Sequence, residues 1–186
     1  MKPVSFIFGS EAKVKIMRLF VFNPTLFLSL ADISQRVQEK RDKTRRELNN
    51  LVKAGLIKKR VKGYTLNSSY IYLPAIDSFL VDATPLTDKE IIKKVSRAGS
   101  IKLVLISGVF IHDKDSRVDI LVVGDNLKDG RLASAIASIE AELGREVRYS
   151  AFETDDFKYR MGVYDKLIRD ILDYPHKLIL DKIGIE

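Results

Sequence analysis

The sequence predicts an α+β protein of two domains, with helices and a β-hairpin in its first third and a small helix-covered sheet in the remainder. The charge distribution is the first observation that predicts two domains. Residues 1–66 contain 15 Lys and Arg against 5 Asp and Glu, whereas residues 67–186 contain 17 against 20. Turn signals are the second observation, because capping residues and glycines divide the chain into short helical and β-branched segments.

Three helices are predicted in the first domain, each from a polar N-cap residue followed by apolar residues at helical spacing. Ser10 is the expected N-cap of the first helix, and Ser29-Leu-Ala-Asp32 has the pattern of a capping box at the start of the second. For the third helix, Asp42 is the expected N-cap, and Gly55 follows the helix where a capping glycine belongs. The predicted helices span residues 10–20, 29–37 and 42–54.

Downstream of the third helix, the sequence predicts a β-hairpin and then a connector. Leu56-Ile57 and Tyr64-Thr65-Leu66 flank a basic stretch and Gly63, where two short strands would turn. Residues 69–86 follow, and their many apolar side chains predict a connector that packs at a domain junction or against a second subunit. The first domain would therefore span residues 1–68.

Residues 87–186 predict a small sheet covered by helices. Thr87-Asp-Lys-Glu90 has the pattern of a second capping box and opens a helix that ends at Gly99. β-Branched runs between turn residues predict strands, and amphipathic stretches predict helices. The predicted strands span residues 102–107, 118–123, 147–152 and 177–180, and the later helices span 132–143, 154–161 and 165–172.

The third predicted helix combines a face that can pack with a face rich in basic residues. Arginine can pair with guanine in the major groove and asparagine with adenine, whereas lysines on a neighbouring hairpin would meet backbone phosphates. Residues 36–62 contain 11 basic and 3 acidic residues. These features predict binding to double-stranded DNA. The residues expected to contact DNA are Arg41, Lys43, Arg45, Arg46, Asn49, Lys53, Lys58, Lys59, Arg60 and Lys62.

Residues 10–66 resemble the winged helix-turn-helix of bacterial and archaeal transcription regulators. The resemblance is carried by Thr44-Arg-Arg-Glu-Leu-Asn-Asn-Leu-Val-Lys-Ala-Gly-Leu-Ile57, which contains the pattern LxxLxxxGLI that leads from the recognition helix into the wing. It implies a recognition helix over residues 42–54 in the major groove and a basic wing over residues 58–64 on phosphates. It also implies a homodimer.

The second domain resembles the core of the nucleotidyltransferase superfamily. Ile106-Ser-Gly108-Val109 is followed by Val118-Asp-Ile-Leu-Val-Val-Gly-Asp125, which is similar to the Gly-Ser turn and the Asp-x-Asp strand of that family. In such a site, glycine lets the backbone approach a triphosphate, and two carboxylates on one strand face hold Mg²⁺. The resemblance covers residues 87–186 and implies a small α/β domain with a mixed sheet.

Three departures from this pattern predict that the domain does not catalyse nucleotidyl transfer. Val109 stands in place of the serine, Leu121 in place of the second aspartate, and Arg148 near the position of the third carboxylate. Asp119 alone cannot hold the two metal ions that phosphoryl transfer needs. No catalytic residue, metal or cofactor is therefore expected.

Gly108 and Asp119 would then mark a vestigial nucleotide pocket. Gly108 is expected in a tight turn, and Asp119 is expected to pair with Arg117 or Arg148. The domain would serve assembly or ligand sensing. Two other hypotheses stay open. One is an active or nucleotide-binding nucleotidyltransferase, and the other is an antitoxin-like module that binds a protein partner.

Composition excludes several classes of protein. The chain has no cysteine, which rules out disulfides and thiolate metal sites, and its two histidines, His112 and His176, lie far apart. No apolar run reaches the roughly 20 residues that cross a bilayer. The N-terminal sequence also lacks the pattern of an export signal. A cytoplasmic protein without membrane contact is expected.

Overall fold

A computed structural model describes residues 3–83, 86–111, 113 and 115–185. The architecture is α+β, as predicted, and the chain forms two compact units. The first unit comprises Met1–Leu86 and Glu140–Glu146, and the second comprises Thr87–Ile139 and Val147–Glu186. The division differs from the predicted domains because the segment 140–146 belongs to the first unit.

Two helices of the first unit begin at side-chain caps. Ser10 accepts a hydrogen bond from the backbone N–H of Lys13, and both halves of the capping box between Ser29 and Asp32 are formed, as predicted. The side-chain hydrogen bond from Ser29 lowers the pKa of Asp32 below its ordinary value. The helices are α1 (Pro3–Phe8), α2 (Glu11–Val21), α3 (Leu30–Arg36), α4 (Arg41–Lys53) and α5 (Leu73–Asp82).

The start of α4 corrects the prediction that Asp42 caps this helix. Lys40 has an extended backbone conformation and occupies the N-cap position without a side-chain cap hydrogen bond. Asp42 therefore lies inside the first turn, where its carboxylate interacts favourably with the helix dipole. At the other end, Gly55 has a φ of +84°, the left-handed conformation that ends many helices, as predicted.

The β-hairpin of the first unit joins a third strand that the sequence did not predict. The strands are β1 (Phe27–Leu28), β2 (Ile57–Arg60) and β3 (Gly63–Leu66), which form an antiparallel sheet in the order β1-β3-β2. Ile57 pairs with Leu66, and both are buried in the same core as α2, α3 and α4. The hairpin is thereby fixed to the core at its base.

Residues 69–83, which the sequence predicts as part of a connector, pack within the first unit. Helix α5 contributes Leu80, which is 1% exposed, to the core of the first unit. Tyr70, Leu73 and Ile76 are partly buried against the same core. The apolar character of this segment is therefore explained by packing within the first unit.

Residues 140–146 join the first unit through polar contacts with α2 and the turn that follows it. Lys15 Nζ lies 3.3 Å from Glu142 Oε1, and the amide of Asn23 donates to the carbonyl of Gly144 at 2.7 Å. Arg18 is 2% exposed, and burial lowers its pKa to about 10, an effect that the negative charge of Glu142 opposes. These contacts were not evident from sequence because they join residues more than 100 positions apart.

The second unit contains a mixed four-stranded sheet, as predicted. Its order is β6-β5-β4-β7, with β5 and β6 parallel and the other neighbours antiparallel. Among the described residues, no helix is long and apolar enough to cross a membrane. The strands are β4 (Ser100–Ile106), β5 (Ile120–Asp125), β6 (Tyr149–Glu153) and β7 (Lys177–Asp181), and the helices are α6 (Asp88–Val95), α7 (Asp129–Leu143), α8 (Thr154–Gly162) and α9 (Lys166–Asp173). Residues 140–143 of α7 belong to the first unit.

One face of this sheet packs against α8 and α9. Leu105 and Leu121 are 0% exposed and belong to one core cluster with Phe157 of α8 and Ile168 of α9. Strand β5 begins two residues later than predicted, so Asp119 immediately precedes it. Leu121, the residue in place of a second aspartate, is therefore a core residue.

Candidate nucleic-acid interface

Helix α4 has one buried face and one exposed face. Leu48 and Leu51 are buried in the core of the first unit, and the hydroxyl of buried Thr44 donates to the carbonyl of Lys40 at 3.1 Å. Residues three and four positions apart share a helix face, so the remaining side chains form a second surface. This exposed face of α4 carries Asp42, Arg45, Arg46, Asn49 and Lys53.

The two arginines on the exposed face of α4 are accessible. The side chain of Arg45 is 58% exposed, and that of Arg46 is 69% exposed. Arg45 Nη1 lies 3.5 Å from Asp42 Oδ1, and Arg46 Nε lies 3.7 Å from Glu47 Oε1. Because a guanidinium has five N–H donors, these single contacts leave other donors available to an external acceptor.

Lys43 differs from the other predicted DNA contacts because it already has an anionic partner. Its Nζ donates to Glu39 Oε2 at 3.0 Å. Glu39 also lies 3.8 Å from Lys15 Nζ, so one carboxylate is shared by two lysines. Arg41, by contrast, is exposed and forms no ion pair with any described residue. Lys43 is therefore less available to a phosphate than its neighbours on the helix.

Glu47 is a functional candidate that the sequence prediction missed. Its side chain is 5% exposed, lies 3.6 Å from Lys13 Nζ and accepts a hydrogen bond from the amide of Asn50 at 3.2 Å. Through Arg46 and Asn50, this buried carboxylate orients two side chains at the edge of the exposed face. A signal was present, because Glu47 shares the helical spacing of buried Thr44 and Leu51.

The β2-β3 hairpin, which we call the basic hairpin, presents every predicted cation to solvent. Lys58, Lys59 and Arg60 are exposed along β2, and Lys62 is exposed in the turn. Because side chains alternate along a strand, Lys58 and Arg60 project from the face opposite Lys59. None of these four residues forms an ion pair within the described part of the chain. Four unneutralised charges on a short hairpin make a strongly positive surface.

Gly63 fixes where the basic hairpin lies against β1. A Cβ at this position would lie 2.5 Å from the carbonyl oxygen of Leu28, so only glycine permits this approach of the two backbones. The turn itself is made by Val61 and Lys62, and Val61 is fully exposed at the tip. The hairpin is thus anchored at its base and open at its tip.

Asp119, the predicted remnant of a metal site, is buried and fully engaged with protein donors. Its Oδ1 accepts from the backbone N–H of Val109 at 3.0 Å and from Arg148 Nη2 at 3.1 Å. Its Oδ2 accepts from Arg148 Nε at 3.1 Å and from the backbone N–H of the same residue at 2.7 Å. The side-chain hydrogen bonding to Asp119 raises the pKa of Arg148. The carboxylate has four donors and is 1% exposed.

Of the two predicted partners of Asp119, the structure selects Arg148. Arg117 instead lies 3.2 Å from Asp170 Oδ2. Gly108 contacts Asp119 closely, since a Cβ on Gly108 would overlap with Asp119 Oδ1. With a φ of +53°, Gly108 occupies a turn, as predicted, and its missing side chain makes room for a carboxylate of the chain itself.

The remaining candidates for chemistry do not converge. Within the described residues, no group of three or more His, Asp or Glu side chains is arranged to hold a metal ion. His176 Nδ1 lies 2.8 Å from the carbonyl oxygen of Tyr174 in an exposed turn. His112 lies outside the described residues. The exposed face of α4 and the basic hairpin are therefore the surfaces that hold the predicted binding residues together.

No protein-family model matches this chain, and comparisons with curated proteins and with solved structures find no match either. The interpretation of both units consequently depends on their own geometry and charge.

Proposed function

We propose that the protein is a transcription regulator that binds double-stranded DNA through its first unit. In this proposal the first unit is a winged helix-turn-helix: α4 is the recognition helix and the basic hairpin is the wing. The observation that carries the proposal is the exposed face of α4, whose Arg45, Arg46 and Asn49 lie on a helix anchored by its opposite face. The element order supports it too, because α2, α3 and α4 precede a three-stranded sheet that contains the basic hairpin.

The side chains divide into two roles. Arg45 and Arg46 would read guanine O6 and N7, and Asn49 would read adenine N6 and N7, in the major groove. Lys53 and the cations of the basic hairpin would contact phosphates, which gives affinity without sequence preference. Arg41, in the first turn of α4, would contact the backbone at the edge of the same groove.

The second unit has a different role in this proposal. We infer that it lacks nucleotidyl transfer, because Asp119 is saturated by protein donors and Leu121 is buried in the core. Its remaining role would be assembly or ligand response in a cytoplasmic homodimer. A homodimer would bind two half-sites about 34 Å apart, one turn of DNA. A footprint that covers two half-sites at this spacing is the expected result on a selected operator.

The decisive experiment measures the affinity of the full chain for duplex DNA over a range of salt concentrations. Each phosphate contact lowers the slope of log K against log [salt] by about 0.9. The variant Lys58→Ala/Arg60→Ala should therefore reduce the magnitude of the slope by about 2 on any duplex. Fluorescence anisotropy with a labelled duplex gives both affinity and slope.

A matched control separates this role from net charge. Lys89→Ala/Lys166→Ala removes two exposed cations of the second unit and should give the same slope as the wild-type protein. A flat wild-type plot would refute DNA binding. Equal slopes for the hairpin variant and the wild type would refute the role of the wing.

A further inference from the structure

A groove on the surface of the second unit is lined by cations and hydroxyls and shares no residue with the Asp119 site. Its volume is about 370 Å³, and it lies between α6, the turn that follows α6, and α7. Small-molecule sites have volumes of roughly 300–1,000 Å³, so the groove has room for a small ligand. Its lining residues are Lys94, Arg97, Arg131, Ser134, Ala135 and Ser138.

The wall formed by α7 is regular. Ser134, Ala135 and Ser138 lie three, four and seven positions after Arg131, so all four residues lie along one face of the helix. Because three of these four side chains are small, they leave space beside the long side chain of Arg131. Small side chains on α7 thus line the groove beside Arg131.

The wall formed by α6 is tied to α7 by hydrogen bonds. Lys94 Nζ donates to the hydroxyl of Ser138, and the backbone N–H of Lys128 donates to the carbonyl of Ala98 at 2.9 Å. The second bond joins the turn after α6 to the residue before α7. The turn that carries Arg97 is therefore tied to the start of α7, the helix that carries Arg131.

Two of the three cations of the groove have no anionic partner among the described residues. Neither Arg97 nor Arg131 forms an ion pair there, and no described Asp or Glu lines the groove. Both arginines are exposed, so their guanidinium groups can turn toward a bound anion. Arginine binds phosphate through two parallel hydrogen bonds, whereas the hydroxyl of Ser134 already donates to the carbonyl of Gly130 at 2.7 Å. Among the described residues, no aromatic side chain lines the groove, so a nucleobase would find no stacking partner there.

From these observations we propose that the groove binds a small phosphorylated ligand through its phosphate groups, with Arg97 and Arg131 as the principal contacts. This proposal does not depend on DNA binding by the first unit. The backbone of DNA could supply the same phosphate chemistry, and the experiment therefore contains separate arms for a small phosphate compound and for a duplex.

Isothermal titration of the full chain with pyrophosphate, at constant ionic strength and without DNA, tests the proposal. The wild-type protein should bind with one site per chain, and Arg97→Gln/Arg131→Gln should weaken binding about tenfold for each arginine removed. Lys89→Gln/Lys166→Gln, which removes two exposed cations elsewhere on the second unit, should bind as the wild type does. Equal weakening by both double variants would overturn the proposal, because it would show a general charge effect.

A second variant gives the same answer without removing a cation. Ser134→Glu places a carboxylate in the groove at an exposed helical position, where glutamate favours the helix and can pair with Arg131. It should abolish pyrophosphate binding while the melting temperature stays equal to or above that of the wild type. The small-ligand proposal is wrong if every variant binds pyrophosphate as the wild type does. It is also wrong if pyrophosphate does not bind and Arg97→Gln/Arg131→Gln weakens binding to the duplex instead.

Discussion

Arg45 and Arg46 expose more than half of their side chains to solvent, whereas Asp119 exposes 1% of its surface. The sequence predicts contact with a nucleic acid or a nucleotide at both places. On α4, each arginine makes one long ionic contact and keeps unused donors. At Asp119, four protein donors occupy the two carboxylate oxygens. From this difference we infer that a polar residue in a binding motif can bind a ligand only when the fold leaves some of its hydrogen-bonding groups without a partner.

The largest effect is expected from the exposed side of this comparison. Arg45→Ala/Arg46→Ala should weaken binding to a duplex selected from a random pool by about 1–3 kcal/mol for each base contact that is lost. The fold should persist, because neither side chain contributes to the core. Affinity and melting temperature of the same sample measure both effects. Unchanged discrimination between the selected duplex and a random one would show that these arginines do not read bases.

Asp119 tests the buried side of the comparison, where the protein itself supplies the hydrogen-bond donors. Asp119→Ala leaves the backbone N–H groups of Val109 and Arg148 without acceptors, which should reduce the free energy of unfolding by about 2–3 kcal/mol. Urea denaturation measures this change. Asp173→Asn, which alters an exposed carboxylate 3.9 Å from Arg169, is the control and should change stability by less than about 0.5 kcal/mol.

The same variant distinguishes a structural aspartate from a catalytic one. If Asp119 were a metal ligand in an active nucleotidyltransferase, the wild type would incorporate labelled nucleotide in the presence of Mg²⁺ and Asp119→Ala would not. Incorporation by the wild type, combined with unchanged stability of the variant, would contradict the role assigned here.

The adjacent residues Asn49 and Asn50 on α4 allow the same comparison between two residues of one type. Asn49 is exposed without a hydrogen bond to any described residue, whereas the amide of Asn50 donates to Glu47. Asn49→Ala should therefore weaken binding to the selected duplex by about 1–2 kcal/mol and relax the preference at one adenine. Asn50→Ala should have a smaller effect on affinity. The reverse order in a binding titration would contradict the assignment.

Local signals explain which parts of the fold could be predicted from sequence. Ser10, Ser29 and Thr87 all cap helices as predicted, because a cap involves residues only three positions apart. The prediction that Asp42 is an N-cap is wrong because the N-cap depends on backbone conformation, and Lys40 adopts that conformation without a capping side chain. Helix α5 has no side-chain cap, so its polar boundary signal was missing.

The candidate site was predictable where exposure follows from helical or strand spacing. The exposed arginines on α4 and the cations of the basic hairpin needed no knowledge of distant residues. The burial of Glu47 also follows from helical spacing, although it is not among the predicted features. Saturation of Asp119 could not be predicted with certainty, because it requires Arg148, 29 residues away, on an adjacent strand segment.

The smallest expected effect separates two lysines on α4. Lys53→Ala should reduce the magnitude of the salt slope by about 0.9, because this exposed lysine has no ionic partner among the described residues. Lys43→Ala should reduce it less, since Glu39 already neutralises Lys43 at 3.0 Å. Glu39→Gln provides the complementary test: releasing Lys43 should increase the magnitude of the slope. Equal slopes for Lys43→Ala and Lys53→Ala would show that the ion pair with Glu39 does not limit contact with phosphate. The two lysines would then not differ in their availability to DNA.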